Sequence, residues 1–212
     1  MKFLSSAIAI LALGAAPALA HFNLNFPTSR GDNHPTQLTA PCGGKNTEST
    51  DRTEISPNGF PIAVSTSHSV SGIEVLFCPG NSCTTSDDFN VTLVNTFLEN
   101  GAGNVCLPSV SFPSTVYHNS TINGTVQVIF FSDDGELYNC ADVTVTRGGA
   151  SSSSTCQNTT GVTFSEWEGS LSSSSSASGS AAATSSTAAA GKLVASTGVV
   201  GAILAVLGAA AL

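Results

Sequence analysis

Charge is scarce in this chain of 212 residues: 9% of its side chains are Asp, Glu, Lys or Arg, against about 25% in an ordinary soluble domain. Six residues are basic and 14 acidic, and the basic ones do not cluster. Phosphate backbones are gripped by Lys/Arg patches, so a nucleic-acid partner is excluded. No Cys-x-x-Cys pair is present, which removes zinc ribbons and thioredoxin-type sites. There is no Gly-rich phosphate loop, no Gly-x-Ser-x-Gly elbow and no His-Glu-x-x-His pair. Nucleotide-binding, serine-hydrolase and zincin chemistries therefore have no anchor here. No internal repeat is visible, and no amphipathic helical pattern outlasts two turns.

Long apolar runs are also missing, and the two short ones sit at the ends. Met1-Lys2 followed by a mostly apolar Phe3 to Ala16 and by Ala18-Leu19-Ala20 reads as a signal peptide over residues 1–20. The apolar Val199 to Leu212 is too short for a span of about 20 residues. With no basic residue after it, residues 192–212 read as a GPI-attachment signal, with attachment points between Ser176 and Gly191. Between them, residues 148–191 are dominated by Ser, Ala, Gly and Thr and read as an O-glycosylated stalk without a core. The only Trp, Trp167, falls in that stalk and is expected outside any core. The expected location is secreted, at the outer face of the plasma membrane or in the cell wall.

What remains is one domain, residues 21–147, long enough for a single core. After processing, the mature chain as a whole carries a net charge of about −10, which tolerates cations and repels anions. Phe60 to Val64, Ile73 to Cys78, Val91 to Phe97, Val126 to Phe131 and Leu137 to Val145 are rich in Val, Ile and Phe and separated by Pro, Gly and Asn. That pattern predicts strands, with a hairpin turn at Asp133-Asp134-Gly135. The expected fold is all-β, an antiparallel β-sandwich of immunoglobulin or fibronectin-III style.

Six cysteines in a secreted chain imply disulfides, with 15 possible connectivities. Cys78 and Cys83 could close a small loop; Cys42 with Cys140 and Cys106 with Cys156 are the other expected pairs. Sequons at Asn90, Asn119, Asn123 and Asn158 place those side chains at solvent faces if they are glycosylated.

Cleavage after Ala20 leaves His21 first. An N-terminal histidine offers its α-amine and its imidazole to one metal, and a second histidine completes a T-shaped set of three nitrogens, a histidine brace. Such neutral nitrogen donors favour Cu(II). His68, between two strand-like runs, is the favoured second arm. His34, in the Asn33-His34-Pro35 turn, comes next, and His118 is hindered by a glycan on Asn119. The third ligand is expected to be a carboxylate or a phenol. Tyr138 and Asp142 share one face of a strand with Cys140, and an Asp in so apolar a strand is costly unless paired or metal-bound. A salt bridge to Arg30 or Arg52 is the alternative role for Asp142. Asp133 and Asp134 are rivals that a turn also explains.

His21-Phe-Asn-Leu-Asn-Phe-Pro27, Arg30-Gly31, Ala40-Pro-Cys-Gly-Gly44 and Gly135-Glu-Leu-Tyr-Asn-Cys-Ala-Asp-Val143 resemble the fungal copper-acquisition-factor family. These are GPI-anchored proteins related in fold to the lytic polysaccharide monooxygenases. The resemblance covers most of residues 21–147. It implies one Cu(II) held by His21, His68 and Asp142, and copper uptake or homeostasis at the cell surface, with a membrane copper importer as a further partner. A copper-dependent polysaccharide monooxygenase is the competing reading. An aspartate ligand would stabilise Cu(II) and occupy a position that oxygen needs. The domain also has few aromatics for a flat sugar-stacking face, so binding without polysaccharide oxidation is expected.

Overall fold

The structure is a computed structural model in which residues 20–118, 120–154 and 156–171 are described. The signal peptide up to residue 19, the stalk beyond Leu171, the GPI-attachment signal and Asn119 lie outside the described residues.

Among the described residues, nine strands form two sheets. β1 (Phe22–Phe26), β3 (Phe60–Thr66) and β6 (Gly103–Val110) lie in the order β1-β3-β6. The second sheet is β2 (Thr53–Ile55), β8 (Gly135–Val145), β7 (Ile122–Ser132), β4 (Val70–Pro79), β5 (Val91–Asn100) and β9 (Thr163–Glu166), in the order β2-β8-β7-β4-β5-β9. The described residues contain no α-helix, only 3-10 turns at His34–Thr36 and Ser86–Asp88. This is the all-β, disulfide-bonded sandwich expected, antiparallel apart from the three-residue β2–β8 pairing.

All five runs read as strands are strands, each extended by at least one residue. Their alternating Val, Ile and Phe meet between the sheets. Phe22 stacks on Phe130 with centroids 4.1 Å apart, and Phe112 packs against both Phe60 and Phe77. Each such ring removed from water stabilises the fold by about 1.5–3 kcal/mol. The strands not foreseen are short or interrupted. β6 contains Pro108, which a strand tolerates at a sheet edge because no neighbour needs its missing N–H.

The cysteines pair as Cys42–Cys140, Cys78–Cys83 and Cys106–Cys156. The first ties the loop between β1 and β2 over the outer face of β8. There Gln127 Nε2 donates to Pro41 O at 2.7 Å.

The folded domain does not stop at Arg147, which corrects the 147/148 boundary. Cys156 is bonded to Cys106 in β6, and Asn158 Oδ1 accepts from Cys106 N at 2.6 Å. β9 then adds to the free edge of β5. Trp167 is not a stalk residue: its ring packs on Phe131, and a Cβ at Gly72 would lie 2.6 Å from it. Composition misread this segment because a few anchoring side chains hold it, not a core of its own. Asn90, Asn123 and Asn158 are exposed, although Asn123 Oδ1 also accepts from Thr144 at 2.9 Å.

Candidate metal centre

Register brings three chain segments to one end of the sandwich. Phe22 pairs with Thr66, so the start of β1 meets the β3–β4 turn. Gly72 pairs with Phe131, so the same turn meets the β7–β8 hairpin tip. That tip is the two-residue loop Asp133-Asp134, closed by Ser132 opposite Gly135, whose φ is +116°. His21 precedes β1, His68 sits in the turn, and the two aspartates form the tip.

His68 is 3% exposed. Its Nδ1 lies 3.5 Å from Asp133 Oδ1 and its Nε2 3.9 Å from Asp134 Oδ2. Nε2 is buried and has no hydrogen-bond partner among the described residues. Ligand atoms of His68, Asp133 and Asp134 fall within 4.8 Å of one another. Ser67, next to His68, binds the backbone of His21 on both sides: its N and Oγ donate to His21 O at 3.1 and 3.2 Å, and its Oγ accepts from His21 N at 3.1 Å. Asp134 Oδ2 accepts from Ala20 N at 2.8 Å, so its carboxylate lies where the chain enters His21. A cavity of about 40 Å³ opens between Ala20, His21, His34, Gln37, Asp134 and Leu137. A water molecule takes about 30 Å³ in the liquid, so this space suits a single ion or water.

The structure thus joins the backbone of His21 to Ser67, the residue before His68, but it stands Asp142 apart from them. Asp142 lies seven residues up β8 from the hairpin, about 25 Å along the strand. Its carboxylate accepts two hydrogen bonds from Arg30, at 2.9 and 2.7 Å, and one each from Ser49 N and Thr125 Oγ1, both at 2.7 Å. Burial pushes its pKa up, but these hydrogen bonds, above all those from Arg30, outweigh burial and hold it below the ordinary carboxylate value. Its cost in an apolar strand is offset by Arg30, with no metal needed.

Tyr138 also stands away from His68. Its hydroxyl donates to Glu136 Oε2, and burial, aided by that carboxylate, pushes its pKa up to about 12. His118 is exposed in the loop that enters β7 at the opposite end of the sandwich. His34 stacks on His21, centroids 4.9 Å apart and planes 11° from parallel, and its Nε2 is paired with Asn23 Oδ1 at 2.8 Å. Asp133 and Asp134 carried one signal in the sequence: two adjacent acids at a hairpin tip repel each other, which a simple turn does not require.

A family model described as copper acquisition factor BIM1-like matches residues 19–161. A lytic polysaccharide monooxygenase-like protein X325 of Yarrowia lipolytica is 36% identical over 74% of this chain and 60% of its own length. An uncharacterised protein of Aspergillus fumigatus is 39% identical over 71% of this chain and 64% of its own. The chain therefore spans less than two thirds of the length of these two relatives. The copper acquisition factor BIM1 of Cryptococcus neoformans var. grubii is 30% identical over 74% of each chain.

Proposed function

The chain belongs to the copper acquisition factor BIM1-like family, and from that premise we propose that it is an extracellular copper(II)-binding protein whose ion is held by His21, His68 and Asp134. The observation that carries this reading is Nε2 of His68, buried without a hydrogen-bond partner among the described residues and 3.9 Å from the Asp134 carboxylate. A buried polar nitrogen left unpaired costs about 1–3 kcal/mol, a cost that a bound ion would offset.

The donor chemistry fits copper. Removal of residues 1–20 converts His21 N from a peptide amide into an amine. The amine and the His21 imidazole are then two nitrogen donors on one residue, and His68 Nε2 is a third. Asp133, 3.5 Å from Nδ1, would favour the ring proton on that nitrogen and so leave the lone pair on Nε2. Carboxylates commonly orient a ligand histidine in this way. Nitrogen-rich sites suit Cu(II), which leads the divalent affinity order. Asp134 adds an anionic oxygen, which lowers the charge of the site and favours Cu(II) over Cu(I). Binding and release follow from that donor set more readily than oxygen chemistry. The cavity lining also contains no Phe, Tyr or Trp to stack on a sugar ring.

The stalk and the GPI-attachment signal would hold the domain at the outer face of the plasma membrane, where a membrane copper importer is the recipient that acquisition requires.

The test uses secreted protein, with N-terminal sequencing, copper analysis and electron paramagnetic resonance (EPR). One Cu(II) per chain coupled to nitrogen, on a chain that begins at His21, is expected. His68→Ala and a form retaining Ala20 should each lose tight binding. Equal affinity in the Ala20-retaining form would overturn the brace. Oxidised oligosaccharides from a polysaccharide, reductant and peroxide would overturn the binding-only reading.

A further inference from the structure

The segment from Asn33 to Gln37 touches the N-terminal histidine from two directions. β1 is an edge strand of its sheet, so the backbone of Phe22 is unpaired by any strand on its outer side. Gln37, 1% exposed, supplies what a strand would. Its Oε1 accepts from Phe22 N at 3.2 Å and its Nε2 donates to Phe22 O at 2.7 Å. The residue so pinned is the one that follows His21.

Gln37 is itself fixed to the strand that carries the aspartate tip. Its backbone O accepts from Tyr138 N at 2.8 Å, and its Nε2 also reaches Asn33 Oδ1 at 3.3 Å. Asn33, also 1% exposed, donates from Nδ2 to Tyr138 O at 2.8 Å and accepts from Asn139 Nδ2 at 3.3 Å. Gly43 leaves room for this: its φ is +61°, and a Cβ there would lie 2.0 Å from Asn33 Nδ2. β1 and β8 are thus bolted together by side-chain amides, with His21 at the end of one strand and Asp134 just before the other.

The ring is held separately. His34 lies parallel to His21 at 4.9 Å, and Asn23 Oδ1, 2.8 Å from Nε2, fixes the orientation of His34. With that nitrogen engaged, His34 stands as a neighbour of the ligand ring.

We propose that Asn33–Gln37 is a cradle that presets the N-terminal histidine for metal, Gln37 positioning its backbone and His34 its imidazole, a role that rests on the copper reading above. A site whose donors are ordered before the ion arrives avoids the entropy of ordering them on binding.

The test compares wild type with His34→Ala, His34→Phe and Gln37→Leu, all secreted and processed to begin at His21. Cu(II) affinity is read by competition, the spectrum by EPR, and the Phe22 amide by hydrogen exchange in the metal-free protein. His34→Ala should leave metal-free thermal melting unchanged, weaken Cu(II) about threefold to tenfold, as expected for one freed side chain, and split the single EPR spectrum into two. His34→Phe, which keeps a flat ring, should restore one spectrum. Gln37→Leu should cost the Phe22 amide its protection. Wild-type affinity and a single spectrum in His34→Ala would overturn the cradle while leaving the copper reading intact. If wild type takes up no copper, the copper reading fails instead, and Phe22 exchange still reports whether Gln37 pins the strand. A freely exchanging wild-type Phe22 amide would overturn that pin.

Discussion

Arg30 holds Asp142 through two hydrogen bonds, Nε to Oδ2 at 2.9 Å and Nη2 to Oδ1 at 2.7 Å, with both side chains almost wholly buried. Arg30 also donates to Thr125 Oγ1 and to Lys45 O. One ion pair therefore fastens the loop between β1 and β2 to β7 and β8.

Removing one partner of such a pair leaves the other charge buried and costs about 3–5 kcal/mol. Asp142→Asn is expected to lower Tm by on the order of 10 °C and to leave copper stoichiometry unchanged while the protein is folded. The sign with pH follows from the lowered pKa. The stabilisation is present above the unfolded-state value of about 3.9 and lost as pH falls through the folded-state value. Thermal melts from pH 7 downward, in both proteins, check this.

Asp134→Asn has the opposite signature. Asp134 accepts only from Ala20 N among its described hydrogen bonds, so Tm should move by less than about 2 °C, as for other substitutions away from the core. Cu(II) affinity should fall at least about tenfold, as a lost anionic donor implies. Competition titration of the two aspartate variants side by side separates fastening from ligation.

Glu99 supplies a further test. It lies opposite Ser71 across β4 and β5, fully buried, and among the described residues neither its carboxylate oxygens nor Ser71 Oγ has a hydrogen-bond partner. Burial pushes its pKa up to about 7. A raised carboxyl pKa favours folding while the group is neutral. Its contribution is full below the unfolded value near 4.3 and is lost as pH rises through about 7. Glu99→Gln should therefore gain stability relative to wild type between pH 5 and pH 8, by roughly 2–3 kcal/mol. Urea unfolding at the two pH values measures it.

A chain ending at Arg147 should be much less stable than one ending after Leu171. It loses the Cys106–Cys156 disulfide, β9 and Trp167. Loss of a native disulfide from a small secreted domain alone costs about 2–5 kcal/mol. Cys156→Ser in the longer chain isolates that part, and limited proteolysis compares the three.

Local chemistry carried much of this protein in its sequence. Runs rich in Val, Ile and Phe, separated by Pro, Gly and Asn, placed β3, β4, β5, β7 and β8, because branched and aromatic side chains suit a pleated, half-buried strand. The shared face of Tyr138, Cys140 and Asp142 followed from the two-residue period of a strand, and the hairpin at Asp133-Asp134 from its Asp-Asp-Gly turn signal. The residue types at 21 and 68 pointed to nitrogen donors. Tertiary structure decided which carboxylate stands beside them. Asp142 and Asp134 are eight residues apart on one hairpin, and only strand register shows that one faces Arg30 and the other the chain entry at His21. It also decided that residues after Arg147 belong to the fold, because an edge strand and a disulfide draw their stability from partners distant in sequence. Gln37 and His34 acquired their places in the same way, since a side-chain amide or a stacked ring has no local pattern by which its partner could be read.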